Sequence, residues 1–503
     1  MRSSVAAPTA QRKTEAGPET TPHRAAHPLS KSGATAFTLI PLALFAVGIL
    51  WSAASPSGYY VLLGGTACVI VSLPMMLQRP YDIISPWSLV ALAVYIGSGI
   101  RPIFIALGRD GSRTLDDLFL LGHQPEFFLE PGGLYLLGLG LLTVGYLLAG
   151  RRHQRSPIGH RYAFNNYVTL VILVAAFVGF AGFALYAASS GGLSLSRISA
   201  KRSTIEGLDV GAQYSSNGQY RLINSLSAIA FWAQLAHYSA RGLRHGPFTP
   251  RGIFLVALFV NATLLPLYAS TRADIVYLVI VALSIKLFLS SQKTARRLIL
   301  SGLVFVLMVT PVLTALRTQS AGTSSGNESR TDLLLDTFIY SRTFTDIPTS
   351  ALIIDAVPER LAAANGSTIT AWLAAPVPRR FWPEKPLISA GPTIGVTVFG
   401  NVRSGVPPGL VAEAYWNFGM VGLLLLPLLF GMLLRAAHTW AVPIGRRSPA
   451  TALIFSACVL RLGIDATTNS LGFALFSAVQ TLTLLVAFLL VAGSFSGHAK
   501  NRA

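Results

Sequence analysis

From Ile253 to Ser290 the chain reads IFLVALFVNATLLPLYAS, then TRAD, then IVYLVIVALSIKLFLS. Two apolar runs are parted by one short polar turn, Thr271-Arg272-Ala273-Asp274. Neither run alternates apolar with polar, as a strand of a transmembrane barrel would. Each is close to the length of about 20 residues that an α-helix needs to cross roughly 30 Å of hydrocarbon. The stretch therefore reads as a helical hairpin through a membrane. Leu423 to Leu434 shows the same unbroken apolar character.

Working outward, such runs fill most of the chain. Of its 503 residues, 52% are hydrophobic and 12% charged, about half the charged share of a soluble domain. Candidate spans fall at about 36–55, 58–77, 84–107, 132–150, 167–189, 222–240, 253–270, 274–290, 299–316, 409–434, 449–466 and 470–492. The expected fold is an all-α polytopic membrane protein of about twelve helices. Residues 1–35 are expected to form a tail. Its Ala-, Pro-, Thr- and Arg-rich stretch Met1 to Ser32 has no apolar core, so it reads as disordered and not as a signal peptide. Cys68 and Cys458 both fall in apolar runs and read as small buried hydrophobes.

Charge sets the expected orientation. Arg151, Arg152, Arg155 and Arg161 follow the fourth span, and Arg241, Arg244 and Arg251 the sixth. Lys293, Arg296 and Arg297 follow the eighth, and Arg435, Arg446 and Arg447 the tenth. With alternating spans all lie on one side, together with both termini, and the positive-inside rule makes that side the cytosol. The C-terminal tail, 493–503, lies there too. Three longer connections then face outward, at about 108–131, 190–221 and 317–408. Connections that long are usually functional elements. They carry Arg197, Arg202, Arg342, Arg379, Arg380 and Lys385 among others. Such an excess of cations outside suggests an anionic partner, a lipid-linked phosphate or diphosphate, for which the planar guanidinium fork is suited.

Some charges sit where they cost most. Arg272 lies in an external turn and cannot serve as a topology signal; its bland alternative is a local pair with Asp274. Arg461 and Asp465 share a helical face at i,i+4 near the outer end of span eleven, where an internal ion pair is a sufficient explanation. Arg101 is expected to snorkel outward. Arg342 and Asp346 repeat the i,i+4 spacing in a stretch expected to be helical and to lie on the membrane surface.

The most specific text ends the long loop. It reads Pro376-Val377-Pro378-Arg379-Arg380-Phe381-Trp382-Pro383-Glu384-Lys385-Pro386. A Gly-rich stretch follows, and then Pro407-Pro408-Gly409-Leu410-Val411-Ala412-Glu413-Ala414-Tyr415-Trp416-Asn417-Phe418-Gly419 runs into span ten. The prolines stiffen the backbone. Trp382 prefers the headgroup level. Glu413 and Asn417 stand one turn apart.

These two elements, in this order, resemble the oligosaccharide repeat-unit polymerases, the O-antigen polymerase (Wzy-type) family. The strong likeness covers about forty residues, and the plan of many spans with one large external loop extends over the chain. The resemblance implies a GT-C-like membrane glycosyltransferase that needs neither metal nor cofactor. It would move a growing glycan from undecaprenyl diphosphate to a lipid-linked repeat unit at the outer face of a bacterial inner membrane. Its partners would be that lipid-linked oligosaccharide, the lipid bilayer, and a chain-length regulator and flippase; nucleic acid is not expected.

In that reaction charge builds on the leaving diphosphate and must be met by fixed cations. Arg380, Arg272 and Arg342 are the candidates, with Arg379 and Lys385 in support. The attacking hydroxyl must give up a proton, for which Glu413 is the first candidate and Asp346 the second. Asn417, Tyr415, Trp382, Arg197 and Arg202 are candidates for holding glycan or diphosphate. An O-antigen ligase and a lipid-linked oligosaccharide flippase are the rival readings. A flippase would be expected to show internal repeats and midplane charge, and neither is evident. A dolichol-type mannosyltransferase would need carboxylates in the first external connection, Ala54 to Gly58, which has none.

Overall fold

The computed structural model describes residues 31–78, 81–107, 122–149, 162–164, 167–189, 192–193, 218–243, 246, 248–269, 271–289, 302, 304, 305, 308, 344–377, 381–382, 384–400, 405–441 and 448–495. Long helices dominate: α1 (Lys31–Ala54), α2 (Gly58–Leu77), α3 (Pro86–Ala106), α4 (Pro125–Leu148), α5 (Val168–Ser189), α6 (Gly218–Ala240), α7 (Pro250–Tyr268) and α8 (Arg272–Leu289). After the expected ninth span come two short helices, α9 (Ile347–Ala356) and α10 (Gly391–Thr397). The chain closes with α11 (Gly409–Ala441), α12 (Pro449–Thr468) and α13 (Leu471–Ala492). Among the described residues nine helices are long and apolar enough to cross a membrane, so the protein is a polytopic membrane protein. The more polar α6 and α8 occupy two further expected spans. The span expected at 299–316 lies outside the described residues apart from four positions.

Local sequence explains where helices begin. Ser85, Thr249 and Ser448 each precede a proline, and each side chain accepts a hydrogen bond from the main chain of the first turn, at Trp87, Gly252 and Thr451. A capping hydroxyl satisfies an orphan N–H, and proline fits the first helical position because its missing N–H would have no partner there. Ser470 caps α13 in the same way. Both α3 and α12 contain a π-helical stretch, Tyr95–Ile100 and Phe455–Val459, the kind of widened turn that often sits at functional sites.

Two apolar cores organise the bundle. The first joins α2, α3 and α4 to α9, to residues 390–406 and to α11. The second joins α5, α6, α7 and α8 to α12 and α13. Cys68 and Cys458 are buried and unpaired. Connections expected on one face do meet. On the opposite face from the long loop, Tyr146 bonds Ser85 and Arg435, and His438 approaches Asp82. There β1 (Tyr162–Phe164) also pairs antiparallel with β2 (Gly493–Phe495). On the loop face, Arg101, Asp346, Thr345, Thr467, Gly409 and Asn469 come together.

Three expectations are corrected. Arg101 does not snorkel outward: it is 2% exposed and paired with Asp346. The helix at the end of the loop begins only at Ile347, with Asp346 extended as its N-cap, so Asp346 is not on a helical face shared with Arg342. Nor does that helix lie on a surface. Ile347, Ala351, Leu352, Ile353 and Ile354 are all in the first core. A largely apolar helix of ten residues is too short to span a bilayer and suits a buried position.

The third correction concerns span ten. At 33 residues α11 would run about 50 Å if straight, well beyond a hydrocarbon layer. It is broken at Phe418 and Gly419, the latter with φ 56°. Glycine permits that left-handed geometry. Gly422 then packs on the Ala414 carbonyl, and Val411 and Leu423 both reach Gly138. Segment 409–417 therefore folds back against the membrane-length segment 420–441.

Helices α4 and α11 pack closely. A Cβ at Gly145 would overlap the Leu428 carbonyl oxygen, and one at Gly431 the Leu142 carbonyl. Small residues let membrane helices approach this closely. Gly145→Ala is expected to push the helices apart at a cost of about 1–3 kcal/mol, read as a lower melting midpoint in detergent. An unchanged midpoint would show that the interface yields.

Candidate functional site at the loop face

Glu413 lies in segment 409–417 and is fully buried. Thr368 Oγ1 donates to its Oε1 at 2.8 Å, and the main-chain N–H groups of Leu471 and Gly472 donate to the same carboxylate. Those two N–H groups open α13. A helix N-terminus carries partial positive charge and unpaired donors, so it is a ready anion seat. Here the anion is the protein's own carboxylate.

Asn417, one turn on, completes the arrangement. Its Oδ1 accepts from Gly366 N at 2.9 Å, and its Nδ2 donates to Thr368 Oγ1 at 2.7 Å. Trp416 Nε1 donates to the Ala362 carbonyl at 2.8 Å. Thus Glu413, Trp416 and Asn417 together grip residues 362–368, the piece of the loop that leads into the Pro–Trp–Lys element. Tyr415 is half-buried against the first core.

Within that element Lys385 Nζ donates to the carbonyls of Ala375 and Val377, at 2.8 and 3.0 Å, and so ties the element into a closed turn. Phe381, 78% exposed, and Trp382 point away from the protein. Apolar rings held outward beside a membrane-length bundle suit the interfacial zone of a bilayer.

Asp346 is the second buried carboxylate. One oxygen pairs with Arg101 and the other accepts from Thr349 N at 2.7 Å. Beside it Thr345 donates to the Thr467 carbonyl, joining the loop to the end of α12.

The first turn of α8 supplies a third group. It starts at Arg272 and carries Asp274 exposed. Tyr277, one turn further, lies under the Arg461 guanidinium, 4.4 Å from ring centroid to Cζ. Arg461 Nε donates to Asp465 Oδ2 at 2.8 Å, and Asp274 is close enough to act on both charges. The i,i+4 pair read from sequence therefore forms, and it meets the turn that carries Arg272.

Arg342, Arg379, Arg380, Arg197 and Arg202 lie outside the described residues. Thr368, Arg101 and Tyr277 were not among the candidates. The turn before Thr368 was legible, since Asn365 and Gly366 both take positive φ and Asn-Gly marks such turns. Nothing in the run Ser367-Thr368-Ile369-Thr370 singles out Thr368. Comparison with protein-family models, with curated proteins and with solved structures gives no match for this chain.

Proposed function

We propose that the protein is a glycan repeat-unit polymerase of the bacterial inner membrane, with both termini in the cytosol and the loop face outward. It would transfer a growing glycan from undecaprenyl diphosphate to the end of a lipid-linked repeat unit. The observation that carries this reading is the joining of the two sequence elements that resemble such polymerases. The Glu413–Asn417 element holds the loop segment that leads into the Pro–Trp–Lys element. The second element is thereby kept at the loop face, with its rings turned outward. A diphosphate leaving group needs fixed cations; Arg379 and Arg380 belong to this element, and Arg272 is the further candidate from the sequence.

The broken helix α11 favours one rival, since discontinuous helices also line the sites of transporters. Deleting the gene in its host separates the two. A polymerase loss leaves surface glycan one repeat long, seen as collapse of the gel ladder to its lowest band. A flippase loss removes surface glycan altogether, because the repeat unit stays at the inner leaflet. An intact ladder would overturn both readings.

A further inference from the structure

The carboxylates on the loop face differ in what they are free to do. Glu413 is fully buried and accepts three hydrogen bonds from the protein. Asp346 is 1% exposed and is held by Arg101 and Thr349 N. Neither can reach a substrate without dismantling the contacts that join the loop to the bundle. Asp465 is different: its side chain is 13% exposed, and that of its partner Arg461 is 20% exposed.

Asp465 is nonetheless held firmly. Arg461 is fixed from below by the Tyr277 ring, and Tyr277 is anchored through its hydroxyl to the Ala457 carbonyl at 2.7 Å. Asn469 bonds the Asp465 carboxylate with its side chain and the Asp465 carbonyl with its main chain. The Asn469 carbonyl in turn receives Gly409 N at 2.9 Å, at the foot of the segment that carries Glu413. Asp465 is thus a mostly enclosed carboxylate with a small exposed edge, built into the same polar network as the gripped loop.

The charge balance is informative. A purely structural ion pair has no need of a second carboxylate, yet Asp274 is brought to this one from α8. Carboxylates accept hydrogen bonds, which suits the hydroxyl groups of a sugar rather than a diphosphate. The cations of the Pro–Trp–Lys element have the opposite preference.

Resting on the polymerase reading above, we propose that Asp465 is the base for the acceptor sugar, with Arg461 and Tyr277 as positioning residues. The acceptor hydroxyl oxygen forms a bond to the anomeric carbon of the donor as that carbon's bond to the diphosphate oxygen breaks. The bonding pair leaves on the diphosphate, and the hydroxyl proton passes to Asp465, which returns it to external water.

The test uses full-length protein added to detergent-solubilised membranes of the deletion strain, which hold the accumulated lipid-linked single repeat. Asp465→Asn is expected to slow chain extension per folded molecule by about 100-fold or more, beyond any loss of folded yield. A rate within threefold of wild type, or a loss that only follows the folded yield, overturns the assignment. If Asp465→Asn does not accumulate, Asp465→Glu decides, because it keeps charge and ion pair but moves the carboxylate by one methylene. A rate at least tenfold down at a normal midpoint supports the assignment; a wild-type rate overturns it. A ladder that survives gene deletion sinks the polymerase reading itself. A ladder lost on deletion but restored by Asp465→Asn sinks only this role for Asp465.

Discussion

Arg101→Ala is expected to leave little folded protein. Arg101 and Asp346 are both almost wholly enclosed and form an ion pair. Among the described residues Arg101 Nε has no hydrogen-bond partner, and the pair with Asp346 compensates for burying the guanidinium. Removing one member of a buried pair strands the other charge, at a cost of about 3–5 kcal/mol. That is a large part of a typical folding free energy. Asp346 has a second task as N-cap of α9 through Thr349. Asp346→Asn isolates the ionic contribution, because asparagine caps as well as aspartate but carries no charge. Both single variants should lose most of the monodisperse protein seen on size exclusion in detergent. The double variant Arg101→Met with Asp346→Asn should recover part of it, because no unpaired charge remains. Wild-type behaviour of either single variant would mean that water or lipid headgroup reaches the pair.

Why that pair was not legible in the sequence is a matter of distance along the chain. Arg101 stands near the end of an apolar run, and a long side chain there has a simple way out to water. Its true partner is 245 positions away, and no spacing rule connects them. The helical spans were legible for the opposite reason. Each is a local fact, an apolar run of membrane length, and three of them open on a Ser-Pro or Thr-Pro start at Ser85, Thr249 and Ser448. The buried place of α9 was also within reach, since a largely apolar helix of ten residues is too short to span and too apolar to float. The break in α11 was not read from the sequence, where 409–434 reads as one span; its local signal is Gly419, the residue whose positive φ permits it.

The candidate site was legible in its parts but not in its joints. Glu413 and Asn417 stood out because polar side chains at the mouth of an apolar helix are costly. Arg461 and Asp465 were visible as an i,i+4 pair. That the first two would grip Gly366 and Thr368, and that the second two would meet Tyr277 and Asp274, depends on which helix ends share a face. Only the packing of α8 against α12, and of segment 409–417 against α13, settles that.

Glu413→Gln turns this geometry into a choice between two roles. As a clamp, the carboxylate uses both oxygens to take hydrogen bonds from Thr368, Leu471 and Gly472. Glutamine offers one oxygen and one NH2. The oxygen must face Leu471 and Gly472, since two N–H groups cannot accept. The NH2 then faces Thr368, whose hydroxyl already accepts from Asn417 Nδ2 and would be left donating to nothing. The variant therefore loses a charge-assisted bond at Thr368 and the attraction of a full charge to the α13 N-terminus. The combined loss is about 2–3 kcal/mol. Thr368→Val removes the same link from the other side and should cost about 1–2 kcal/mol. A clamp predicts lower melting midpoints for both variants, with turnover per folded molecule within a few-fold of wild type. A base predicts the reverse for Glu413→Gln: a midpoint near wild type and turnover down by about 100-fold or more. The complete burial of Glu413 favours the clamp. A Glu413→Gln protein that melts normally yet fails to extend the glycan would return the proton to Glu413 and require residues 362–368 to lift during the reaction.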